Sequence, residues 1–240
     1  MSSDLEQDVN RFELKHLLRG ACFDHIAVVV PKCDVIHALF TYLGFDTGYA
    51  RKAIGDIYTS MTTVVMQAPF AHELLAGRLQ IALMSGNDGI DHTGQKIKSQ
   101  ISEYYARRGS FSVQHIAIRV HDITGLVRAW SNLGVQFITS DDNGPHILED
   151  TEDNIPVLQC FTYPIIEKSG TFFELKQIVN PSEQHAAVRK EFRDRNVEGL
   201  WSHINRMIRT NRLFYSNIFD EPNLEESLRK RKVPIEPIAA

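Results

Sequence analysis

One segment of this chain occurs twice, and the repetition limits the fold more than any other feature. CFDHIAVVV at Cys22–Val30 returns as SVQHIAIRV at Ser112–Val120. In each copy a histidine precedes Ile-Ala and then β-branched residues, the composition of a strand packed on both faces. The flanks repeat as well, because Leu43-Gly44 follows His25 as Leu133-Gly134 follows His115. GRLQIALM at Gly77–Met84 aligns with GTFFELKQ at Gly170–Gln177, with a longer loop before the second. The chain is a tandem duplication of one unit.

Each unit reads as strand, helix and three strands. In the first (22–84), helical spacing runs from Val35 to Leu43 and stops at Gly44, where a left-handed glycine suits a helix end. Strands follow near 45–51, 58–67 and 78–84. In the second (112–178), Asp122 is the N-cap of a helix reaching Leu133, followed by strands near 135–139, 156–163 and 171–178. Neither half has the core to stand alone, so the two pair into one α+β domain spanning 1–220.

Pairing about a pseudo-twofold axis brings equivalent strand positions into one cavity. Four matter: His25, Ile81, His115 and Glu174. Three offer a metal ligand and one is aliphatic. Two histidines and a carboxylate, with the remaining positions open, are the donor set of non-haem Fe(II) oxygenases. Either histidine alone would read as a hydrogen-bonded core residue. Their repetition, with Glu174 following among Thr-Phe-Phe and Leu, favours a ligand role, because a carboxylate there is costly to bury unless paired or metal-bound; the alternative is a Glu174 that points outward and pairs with a lysine.

The remaining sequence is less specific. With 240 residues, a net charge of −4 and 43 % hydrophobic residues, the chain is expected to be a soluble protein with a sizeable core. No basic face suggests nucleic acid. No apolar run is long enough for a bilayer, and residues 1–20 lack a signal-peptide core, so a cytoplasmic location is expected. Cys22, Cys33 and Cys160 are odd in number and lack CxxC spacing, which speaks against disulfides or structural zinc. Leu5–Leu18 reads as an amphipathic brace, 85–95 as a loop and 97–107 as a linker helix. Residues 181–219 read as C-terminal helices over the cavity mouth, and 221–240 as a loosely held tail.

Four blocks in order, FDHIAV, SQISEYYARRGSFSVQHIAI, LQCFTYPI and GTFFELKQ, resemble the vicinal oxygen chelate superfamily, in particular the iron-bearing half of the 4-hydroxyphenylpyruvate dioxygenases and hydroxymandelate synthases. The resemblance covers roughly residues 22–205. It implies a curved sheet of two βαβββ units around a metal cavity, with His25, His115 and Glu174 as ligands of Fe(II). It also implies that Gln100 and Gln159 line the substrate cavity, that Phe161 stacks on the substrate and that Phe192 closes the cavity. The implied reaction is oxidative decarboxylation of a 2-oxo acid, an arylpyruvate first, coupled to hydroxylation of the same substrate by O2.

Departures from that pattern bear on the substrate. The family's extra N-terminal pair of units has no counterpart in these residues, which suggests a homodimer covering the equivalent surface. Val197 stands where a second stacking phenylalanine is expected, Arg193 and Arg195 where glycines are, and Gly86 or Asn87 where an asparagine would fall. Three alternatives remain: an extradiol dioxygenase, a glyoxalase-type isomerase and a non-catalytic small-molecule-binding module. Ile81 in the fourth position weighs against the isomerase, which uses a fuller ligand set.

Overall fold

The computed structural model describes residues 13–69, 79–138, 147–152, 155–166, 170–179, 217–221 and 223–235. The first repeat contributes β1 (Cys22–Val29), α1 (Cys33–Tyr42), β2 (Asp46–Gly55), β3 (Ser60–Gln67) and β4 (Gln80–Asn87). A small hairpin of β5 (Gly89–Ile90) and β6 (Lys96–Ile97) and then α2 (Gln100–Arg108) join it to the second. That repeat contributes β7 (Ser112–Arg119), α3 (Ile123–Asn132), β8 (Leu148–Glu152), β9 (Ile155–Phe161) and β10 (Phe172–Ile178). A last helix, α4 (Leu224–Lys230), follows.

The duplication is visible in the strand order β2-β3-β4-β1-β7-β10-β9-β8, which reads the same from either edge when repeats are exchanged. At its centre β1 and β7 run antiparallel, with Ile26 opposite Ile116, His25 opposite Ala117 and Ala27 opposite His115. The pseudo-twofold axis therefore passes between the two isoleucines. On either side β4 and β10 add in parallel, and the sheet curls into a half-barrel.

Alternation along the strands divides the core into an inner layer and two outer ones. Val28, Val30, Val64, Met66 and Leu83 face outward onto α1 with Ile36 and Phe40. On the other repeat Leu175 and Cys160 pack on Ile123, Leu126 and Val127 of α3, braced by Leu14 and Leu17 of a helical segment at 13–17. The inner layer of Ala27, Val29, Ala82 and Met84 is covered by Ile101 and Tyr104 of α2. Both repeat helices end as their sequences require: Gly44 and Gly134 have φ of +93° and +87°. Asp122 caps α3 by accepting from Gly125 N–H at 2.8 Å.

Four expectations differ from the structure. First, the register places Ala82, not Ile81, opposite Ala27, as Glu174 lies opposite Ala117, so Ala82 is the mate of Glu174. Ile81 faces outward with the α1 core. Second, the strand expected at 135–139 is reduced to one bridge, Phe137 with Thr162, because Gln136 N–H is taken by Ile218 C=O at 2.7 Å. The pairing role passes to β8, whose acidic LEDTE has little strand propensity. Third, β4 runs on through Asn87 into the stretch read as a loop. Fourth, the stretch read as a loose tail contains α4, capped by Asn223 and carrying the fully buried Ser227. Arg231 Nη1 donates to Glu221 at 3.0 Å, and its guanidinium lies 4.1 Å from the Phe219 ring centre. The helices expected over 181–219, with Phe192, Arg193, Arg195 and Val197, lie outside the described residues apart from 217–219. Among the described residues no helix is long and apolar enough to cross a membrane.

Candidate metal centre

His25, His115 and Glu174 come from three adjacent strands, β1, β7 and β10, and all three project into the inner layer. Their ligand atoms converge. His25 Nε2 lies 3.2 Å from His115 Nε2 and 3.6 Å from Glu174 Oε2, and His115 Nε2 lies 3.1 Å from that oxygen. Metal bonds of about 2.0–2.2 Å separate neighbouring donor atoms by about 3 Å at right angles and about 3.5 Å at tetrahedral ones. The three atoms thus have the spacing of one face of a coordination polyhedron. The two-nitrogen, one-oxygen set fits a divalent transition ion. Ala82, in the fourth pseudo-symmetric position, has no donor atom, so that among the described residues His25, His115 and Glu174 form the one group able to hold a metal.

Each donor is held from behind. Gln159 Nε2 donates to Glu174 Oε1 at 2.9 Å, leaving Oε2 turned to the histidines. His25 Nδ1 is 2.9 Å from Asp24 Oδ1, and His115 Nδ1 is 3.1 Å from Gln114 Oε1. An ionised carboxylate only accepts hydrogen bonds, so His25 carries its proton on Nδ1 and presents Nε2. Phe172 stacks on the His115 ring at 5.3 Å between centres, and Phe161 approaches both rings edge-on at 6.3 and 6.0 Å.

The electrostatics follow from burial opposed by close charges. Burial alone would raise Glu174, which is 2 % exposed, but the His115 hydrogen bond and the charges of His25, His115 and Lys176 hold it down at about 2. Burial would likewise raise Asp24, yet the His25 hydrogen bond and the cations of Lys176 and Arg119 keep it well below the usual carboxylate range. For His25, burial is outweighed by the Asp24 hydrogen bond and the charges of Glu174 and Asp24, and its pKa rises. For His115 burial prevails and its pKa falls. A metal entering this site meets an ionised carboxylate and a His115 that burial favours in its neutral form, and it must displace the proton that the neighbouring carboxylates favour on His25.

The other sequence-derived residues divide. Phe161 lies edge-on to His115 and opposite Glu174 in the ladder, and Gln159 bonds to Glu174, so its amide is engaged there. Gln100 is buried at the start of α2, and among the described residues no hydrogen bond joins it to the three. Phe192 lies outside the described residues. Asp24, Gln114, Phe172, Lys176 and Arg119 were not singled out from sequence. Strict alternation would turn Asp24 and Gln114 to the face opposite their histidines, which hides their role.

A 78 % stretch of the chain superposes on a triple mutant of 4-hydroxymandelate synthase from Streptomyces coelicolor with a TM-score of 0.58, at 19 % identity. The chain has the vicinal oxygen chelate fold. It spans about half, 54 %, of that synthase's length. Methylmalonyl-CoA epimerase from Mycobacterium tuberculosis is also similar, with a TM-score of 0.45 and 22 % identity over 66 % of this chain and 89 % of that one. No known family's sequence profile matches the chain.

Proposed function

We propose that this vicinal oxygen chelate protein is a non-haem Fe(II) dioxygenase that takes a 2-oxo acid, with an arylpyruvate the first candidate. The observation that carries the reading is the convergence of His25, His115 and Glu174, donated by both repeats, within 3.1–3.6 Å of one another. When bound, Fe(II) supplies dioxygen activation and the oxidative decarboxylation of a chelating 2-oxo acid, whose keto and carboxylate oxygens would serve as donors. The chain's own part is to hold three donors on one face, with no fourth donor at Ala82. Gln159 keeps Glu174 Oε2 aimed at the histidines. Asp24 and Gln114 hold the outer nitrogens of the imidazoles. Phe161 and Phe172 supply aromatic walls beside His115, suited to a flat apolar ring and to excluding water.

An isomerase of glyoxalase type is disfavoured by Ala82, which removes the fourth donor. The test is an anaerobic titration of Fe(II)-loaded protein with a panel of 2-oxo acids, followed in the visible spectrum beside His115→Ala. A charge-transfer band that forms with an arylpyruvate, fails in the variant and decays on admitting oxygen supports the proposal. Iron bound with no band from any 2-oxo acid refutes the substrate class and turns attention to a catechol.

A further inference from the structure

Two irregularities interrupt the central β1·β7 pair. Phe23 pairs with Ile118 and His25 with Ala117, which leaves Asp24 unmatched; Ala27 pairs with His115 and Val28 with Val113, which leaves Gln114 unmatched. The extra residue is in each repeat the one immediately before the histidine. A bulge breaks the alternation of faces, so consecutive residues can share a side. It is this break that lets Asp24 and Gln114 reach the Nδ1 atoms of their own neighbours, at 2.9 and 3.1 Å.

The two positions differ in charge, and their surroundings differ to match. Asp24 is fully enclosed and receives Arg119 Nε at 2.7 Å, Arg119 Nη2 and Lys176 Nζ at 3.2 Å, all from strands of the other repeat. Arg119 lies opposite Cys22 and Lys176. The corresponding partners in the first repeat are Val29, opposite Ser112 and Met84. Val29 and Met84 are buried and apolar. A carboxylate thus stands where the other repeat offers two cations, and an amide where the equivalent positions are apolar. An ion could not be buried at Gln114 on those terms without an unpaired charge.

We propose that Asp24 and Gln114 are a pair of positioning residues, duplicated with the fold and then diverged, that fix the tautomer and aim of His25 and His115. Asp24 does so as part of a clamp across the repeats with Lys176 and Arg119. The two imidazoles are consequently unlike ligands: His25 is backed by an anion, which makes it the stronger donor, and His115 by a neutral amide. The inference rests on the metal-binding reading above.

Cobalt(II) is the probe. Its affinity is measured by competition with a chromophoric chelator, and proton NMR of the loaded protein in water reports hyperfine-shifted histidine N–H signals. Wild type should show two slowly exchanging signals. Gln114→Leu should weaken Co(II) binding roughly 10- to 100-fold and lose one signal. Asp24→Leu combined with Lys176→Met, which removes one charge of each sign, should weaken binding by a similar factor and lose the other. Circular dichroism verifies folding, and the uncharged Gln114→Leu keeps the proposal exposed if the double variant fails to fold. Folded variants that bind Co(II) within twofold of wild type with both signals intact overturn it. Wild type that takes up no Co(II) removes the metal reading itself, and the inference with it.

Discussion

Glu174 offers a stability measurement independent of any metal. Its carboxyl titrates at about 2 in the folded chain against 4.5 as a free side chain. Because the folded value is depressed, the ionised form stabilises the fold at pH above 4.5, and that contribution is lost as pH falls through 4.5 toward 2. A depression of this size amounts to about 3 kcal/mol in full, of which about 2 kcal/mol disappears between pH 5 and pH 3. Glu174→Gln keeps the shape and removes the titration. Urea unfolding of the metal-free proteins should therefore show wild type losing about 2 kcal/mol more than the variant over that interval. Other carboxylates, Asp24 among them, titrate in both proteins and cancel in the comparison. Parallel pH profiles for the two proteins would refute the reasoning, because Glu174 would then be no more acidic folded than unfolded.

Three further outcomes are expected. Phe172→Ala, which removes the ring stacked on His115, should cost about 3–5 kcal/mol in denaturant unfolding and weaken metal binding. Gly44→Ala should cost about 1 kcal/mol from backbone strain alone, since φ is +93° and nothing lies within 4 Å of the new methyl group; an unchanged midpoint would contradict it. Cys160, buried and with its thiol pushed up to about 12, should resist alkylation at pH 8 in the native protein and react fully in denaturant.

The features that local chemistry specifies were legible in the sequence. Gly44 and Asp122 mark helix ends by conformational freedom and by side-chain capping, and both act as read. The duplication was legible because the two histidine strands kept their composition. Register was harder. Aligning by residue identity put Ile81 against Glu174, whereas hydrogen bonding puts Ala82 there, and a slip of one residue exchanges the faces of a strand. The bulges at Asp24 and Gln114 carry no local signature, so the hydrogen bonds they make to the histidines emerged only from the pairing of β1 with β7. Nothing local in the Glu-Leu-Lys run marks Lys176 as a buried partner. It is 5 % exposed because its partner, Asp24, comes from the other repeat. Strand β8 escaped notice because an edge strand needs few apolar residues, and α4 because the prolines and charges around it resemble those of a frayed end.

The central claim is that both repeats donate to one metal, and anaerobic Fe(II) titration of four proteins tests it most directly. Wild type should bind one equivalent per chain, and His25→Ala, His115→Ala and Glu174→Ala should each weaken that binding severely while remaining folded. Uptake of iron that is indifferent to all three substitutions would contradict the account.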